Sequence, residues 1–136
     1  MTMADPQLVR LQAFDDPLQG NLCIATAERE VPFRFPRLFF MHGLKAGMRR
    51  GDHAHRAQHQ FLIAMHGRFD VTWVHAGGSG KITLADPRQG LHVPPLTWIA
   101  LEALVDDAIC LVLASDIYDE ADYIRNRAEF DRLIAR

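Results

Sequence analysis

A chain of 136 residues fits one domain, and a hydrophobic share of 49% against 24% charged residues supplies one core, which argues against disordered and collagen-like classes. A formal net charge of −2 offers no basic face to nucleic acid or to an anionic membrane surface, so neither is an expected partner. No apolar run approaches the about 20 residues that span a bilayer, and the opening Met-Thr-Met-Ala-Asp-Pro lacks the basic-then-apolar build of a secretion signal, which predicts a cytoplasmic protein.

From about residue 20 to 115 the sequence runs in short apolar stretches punctuated by Gly, Pro and Asp, with no sustained helical period. The pattern predicts strands over 21–28, 37–42, 53–59, 60–66, 68–75, 80–84, 90–93, 98–101 and 108–114. Turns are supplied by Gly67-Arg68, by Gly77-Gly78-Ser79-Gly80, by Asp86-Pro87-Arg88-Gln89-Gly90 and by Pro94-Pro95, whose residues tolerate tight geometry. Many short antiparallel strands favour a sandwich or a barrel, because closure removes exposed edges. Over 119–134 the character changes. Tyr123, Ile124, Arg127 and Phe130 stand at helical spacings behind Asp119, Glu120 and Asp122, which predicts a short C-terminal helix with an acidic first turn. The fold class is therefore all-β, a single domain over 1–136 forming a β-barrel or jelly roll with a helical tail.

Cys23 and Cys110 are far apart and flanked by apolar neighbours, which reads as two buried, unpaired core residues in a reducing compartment. The histidines carry more information. In Gly47-Met-Arg-Arg-Gly51-Asp-His53-Ala-His55-Arg-Ala-Gln-His59-Gln60, strand geometry sends His53 and His55 to one face, side by side. Two imidazoles in an enclosed space make a metal site or an acid/base site. A lone histidine is more often a satisfied core or surface group, but a pair on one face after Arg-Gly favours a site. His66 and His75, near strand ends, read as structural or solvated.

The spacing Gly47, His53, His55, Gly67 resembles the first cupin motif, with Gln60 where that motif has Glu. The second cupin motif should bring another His near 94–98. None is there, and His92 lies two residues too early. Two His with a neutral amide are a poor ligand set for a first-row metal, so no metal or other cofactor is expected, His59 and His92 being the only further ligands available.

Val31-Pro-Phe, Pro36-Arg37-Leu-Phe-Phe, Arg50-Gly-Asp-His53-Ala-His55-Arg, Gln60-Phe-Leu, Gly90-Leu-His-Val-Pro-Pro-Leu-Thr-Trp98 and Leu111-Val-Leu-Ala-Ser-Asp-Ile-Tyr118-Asp-Glu-Ala-Asp-Tyr-Ile-Arg125 together resemble the sugar 3,4-ketoisomerase family. That resemblance implies a metal-independent, dimeric cupin that moves the carbonyl of a dTDP-4-keto-6-deoxyhexose from C4 to C3 in deoxy- and amino-sugar biosynthesis. A base removes the acidified C3 proton, an enediol forms, and C4 is reprotonated. Histidine needs the least pKa adjustment for this work. The matching positions make His55 the first choice for the carbon base and His53 its partner. Arg50 and Arg37 are the candidates for the diphosphate, and Phe39, Gln60, Trp98 and Tyr118 complete the expected substrate-binding set.

Two departures from the family pattern bear on chemistry. Where the family reads Arg-Val-Tyr-Tyr, this chain reads Arg37-Leu-Phe39-Phe40, and phenylalanine carries no exchangeable proton. Either His42, His92, Tyr118 or water takes over a tyrosine's oxygen-proton duty, or the isomerase reaction is altered or weak. After Trp98 the chain has apolar Ile99-Ala100-Leu101 in place of a polar pair. The competing readings are a non-catalytic sugar-nucleotide-binding cupin and a metal-dependent cupin enzyme.

Overall fold

The structure, a computed structural model, describes residues 4–135. Twelve strands are formed: β1 Gln7–Arg10, β2 Gln12–Asp16, β3 Gly20–Ile24, β4 Arg37–Leu44, β5 Arg49–His55, β6 Gln60–His66, β7 Phe69–His75, β8 Gly78–Leu84, β9 Gln89–Val93, β10 Trp98–Ala103, β11 Ala108–Ala114 and β12 Tyr123–Ile124. Helix α1 covers Arg127–Ile134. One sheet has the order β1-β9-β6-β11-β4, a second β12-β5-β10-β7-β8, and β2-β3 make a separate hairpin. The two large sheets pack face to face without closing into a continuous barrel, so the molecule is a jelly roll.

Strand alternation partitions the side chains. On β6, Leu62 and Ala64 join Phe69, Val71, Leu91, Leu101 and Val112 in the core between the sheets. Phe61 and Ile63, one residue out of phase, face the other way. They pack with Leu11, Val31 and Leu113 beneath the N-terminal segment. A third cluster of Ala54, Trp98, Ile124 and Phe130 seats α1 on the outside of the second sheet. Asn126 caps that helix by accepting from the Glu129 amide at 2.9 Å.

The tail differs from the helix expected over 119–134. Asp119 caps a single 3₁₀ turn at Glu120–Asp122, and Tyr123–Ile124 then pair with His55 and Ala54 as an edge strand. The apolar pair Tyr123-Ile124 satisfies a helical spacing and an edge strand equally well, and the open edge of β5 decides between them. Cys110 is buried, and burial pushes its thiol up to about 12; Cys23 is half-buried, correcting the expectation of two core cysteines.

β5 contains the irregularity that shapes the site. Gly51 and Asp52 both have left-handed backbones, at φ 92° and 60°, and against β10 the partners step from Ala100↔Gly51 to Ile99↔His53. Asp52 is therefore an extra residue, a β-bulge, and the strand continues through it. Alternation resets there: Arg50, opposite Leu101, and His53, opposite Ile99, reach the same face although they are three positions apart. Gly51 is required twice over, since a Cβ there would also sit 3.0 Å from the Ile99 carbonyl oxygen. The strand expected over 53–59 is found instead at Arg49–His55, because the chain turns after His55, where the amides of Ala57 and Gln58 donate to Asp122.

Candidate active site

The mouth of the jelly roll opens into a cavity of about 370 Å³. Phe39 and Met41 enter from β4, Arg49, Arg50, Gly51 and His53 from β5, Gln60 and Leu62 from β6, Ile99 and Leu101 from β10, Val112 from β11, and Tyr123 and Arg125 from the tail. A larger groove of about 640 Å³ lies on the outer face of the first sheet, lined chiefly by Leu11, Ala25, Leu38, Ile63, Leu111 and Leu113. It contains no histidine, so the smaller cavity is where acid/base chemistry has the groups it needs.

His53 and His55 stand edge to face with ring centroids 5.0 Å apart, but they do different things. His55 is 5% exposed, and its Nδ1 donates to Asp122 Oδ2 at 2.9 Å. Its Nε2 faces the Gln58 amide nitrogen at 3.4 Å, and Gln58 Oε1 accepts from Arg37 Nη2 at 3.1 Å. The chain Asp122, His55, Gln58, Arg37 assigns His55 the Nδ1–H tautomer and occupies both of its nitrogens within the protein. Asp122 also accepts from the amides of Ala57 and Gln58 at 2.8 and 3.3 Å, which ties the turn after β5 to the tail.

His53 makes no side-chain hydrogen bond among the described residues, and its Nδ1 is buried, leaving Nε2 as the nitrogen available to the cavity. Desolvation, then the neighbouring His55, Arg125 and Arg50, lower its pKa to about 4, against a smaller opposing pull from Asp52. His55 is also lowered by burial, and Asp122 opposes that shift.

Of the expected substrate-binding residues, Arg50, Phe39 and Gln60 line the cavity. Arg37 does not. Its guanidinium donates to Gln58 and lies over the rings of Phe39 and Tyr118, outside the cavity lining. Trp98 is buried against Phe130 in the outer cluster and walls no part of the cavity. Tyr118 is exposed, and its hydroxyl donates to Glu120 Oε2 at 2.6 Å. His59 and His92, the spare metal ligands, stack on each other with Nδ1 and Nε2 2.9 Å apart, away from His53. Among the described residues no group of three or more His, Cys, Asp and Glu side chains is placed to hold a metal ion. His75 is structural, bonded to Asp5 at 2.6 Å. The apolar floor expected of Ile99 and Leu101 is present.

Four site residues escaped the sequence reading. Arg49, Arg125 and Tyr123 line the cavity, and Asp122 orients His55 from 67 positions away. The signal was the Asp-Tyr-Ile-Arg string, which the edge strand β12 lays beside the histidines. Arg125 is itself held by Glu120 at 2.7 and 2.9 Å.

With this geometry in view, the comparisons are specific. The family model FdtA, described as WxcM-like, C-terminal, matches residues 4–135. TDP-4-oxo-6-deoxy-alpha-D-glucose-3,4-oxoisomerase of Aneurinibacillus thermoaerophilus is 34% identical over 118 residues, 87% of this chain and 85% of that protein. The sugar 3,4-ketoisomerase QdtA from Thermoanaerobacterium thermosaccharolyticum, solved with TDP, superposes with a TM-score of 0.92 at 28% identity over 98% of this chain and 97% of its own. A His-to-Asn mutant of the same enzyme was solved with TDP-4-keto-6-deoxyglucose. The WlaRB TDP-quinovose 3,4-ketoisomerase from Campylobacter jejuni matches with a TM-score of 0.89 and 35% identity over 96% of this chain and 99% of its own. No helix of the described residues is long and apolar enough to cross a membrane. The cavity, with His53 in its wall and His55 packed beside it, and these matches agree: the chain belongs to the FdtA family, the sugar 3,4-ketoisomerases.

Proposed function

We propose that the chain moves the carbonyl of a TDP-linked 4-keto-6-deoxyhexose from C4 to C3, with His53 as the carbon base. The observation that carries this is a histidine with a free ring nitrogen in a cavity that three arginines also line. Arg49 is paired with Asp52 and Arg125 with Glu120, whereas Arg50 has no ion pair among the described residues and is the group for the diphosphate. A low pKa keeps His53 neutral and ready to accept a proton at pH 7. Gln60, 4% exposed and without a side-chain hydrogen bond among the described residues, offers its amide to a sugar oxygen. This assignment reverses the order expected from sequence, because both nitrogens of His55 are engaged and its part is to fix the base beside it.

The test is incubation with TDP-4-keto-6-deoxyglucose in D₂O followed by NMR. Loss of the C3 proton signal and growth of a 3-keto product are expected; a sugar that stays unlabelled and unconverted defeats the proposal. Phe39 on the cavity wall favours the second reading, a protein that binds the sugar nucleotide without reaction, and calorimetric binding of TDP with no conversion would select it.

The working unit is proposed to be a homodimer joined through the outer face of the first sheet. Leu38, Phe40 and Met65 are 52, 56 and 51% exposed there beside the apolar groove, an unusual concentration for a surface facing water. Sedimentation is expected to give twice the chain mass, with Leu38→Glu/Met65→Glu shifting it to the monomer; a monomeric wild type removes the dimer. Free cysteines suit the cytoplasm, the proposed location.

A further inference from the structure

Carbonyl migration poses a second proton problem that a carbon base does not solve. Once C3–H is broken, the pair forms C3=C4 and the C4 carbonyl pair moves onto O4, giving an enolate with O3 still protonated. The carbonyl reaches C3 only if O4 gains a proton and O3 loses one. On the functional reading above, we propose that Tyr123 is a catalytic residue whose phenol relays this proton from O3 to O4.

Among the described residues, Tyr123 is the only lining side chain of the cavity that carries a hydroxyl. Its ring lies 4.3 Å from that of His55 and 5.1 Å from that of His53, centroid to centroid, so it borders the place where the base must meet carbon. Backbone pairing of Tyr123 with His55 holds this arrangement. Arg125 lies over the ring at 4.2 Å and is clamped by Glu120, which fixes the phenol and sets a positive charge beside any transient phenolate.

The other candidates are committed elsewhere. Tyr118 donates to Glu120, His92 pairs with His59, and His42 lies exposed against Phe40. Ser115 donates to Asp116, and Thr72 and Thr97 donate to backbone carbonyls. In the completed step the phenol gives its proton to O4 and the phenolate takes the proton of O3. The O3 pair then closes the C3 carbonyl as the C3=C4 pair collects a proton from His53 at C4. C4 is reduced, C3 is oxidised, and no outside reagent is consumed.

Tyr123→Phe keeps the ring, its stacking and the backbone pairing, and separates the two proton transfers. In D₂O with TDP-4-keto-6-deoxyglucose, the variant is expected to exchange the C3 proton within about threefold of the wild-type rate while 3-keto product falls about 100-fold or more. A parallel loss of exchange and product would be the mark of a merely structural tyrosine and overturns the inference, as does product at the wild-type rate. Failure of the functional reading is distinguishable, because it appears in the wild-type protein as neither exchange nor product.

Discussion

Replacing His53 with asparagine is expected to lower kcat about 1000-fold, within the range that a positioned general base contributes, while leaving TDP affinity within a few fold of wild type. Asparagine fills a similar volume and cannot accept the C3 proton. The ring it replaces makes no side-chain hydrogen bond among the described residues, so the fold should tolerate the loss. Calorimetry with TDP and NMR-detected C3 exchange measure the two halves. The base acts in its neutral form, and its pKa in the empty site is lowered to about 4 by burial and by neighbouring cations. The acid limb of kcat/KM should therefore fall through about pH 4 instead of the 6.5 of an ordinary imidazole. Unimpaired exchange by the variant would return the role to His55.

Truncating Asp122 to alanine is expected to cost both rate and stability. Its carboxylate receives the His55 Nδ1–H and the amides of Ala57 and Gln58, and of these residues His55 and Gln58 are buried. Leaving buried donors unpaired costs about 1–3 kcal/mol, so the urea midpoint should drop with an unchanged m-value. With His55 free to turn or to change tautomer, kcat should fall roughly 100-fold with KM nearly constant, as for a residue that orients without touching substrate. Asp122→Asn keeps an acceptor for one amide but loses the charge, and should retain more stability than activity. Equal kcat in wild type and Asp122→Ala would remove Asp122 from the mechanism.

Much of the sheet structure was legible where alternation and turn chemistry agree. The strands expected over 60–66 and 108–114 coincide with β6 and β11, whose buried faces are set by Leu62, Ala64, Cys110 and Val112. β1 and β2 were not legible, because Gln7–Arg10 and Gln12–Asp16 are polar or exposed and owe their strand form to pairing with β9 and β3. The site was legible as a pair of histidines, and Phe39 and Gln60 lie on the cavity wall. Its internal division was not. A period-two reading places His53 and His55 together but contains nothing about Asp122, which reaches His55 through tertiary folding. The bulge at Gly51–Asp52 also defeats simple counting, since it alone puts Arg50 and His53 on one face.

The pairing of β12 with β5 has a temporal consequence. Nine strands and the β2-β3 hairpin precede Asp119 in the chain, so a growing polypeptide can assemble all of both sheets except β12 while the cavity still lacks Tyr123 and Arg125 and His55 still lacks Asp122. Chemical competence arrives last, when the tail is laid along an edge that has been waiting for it.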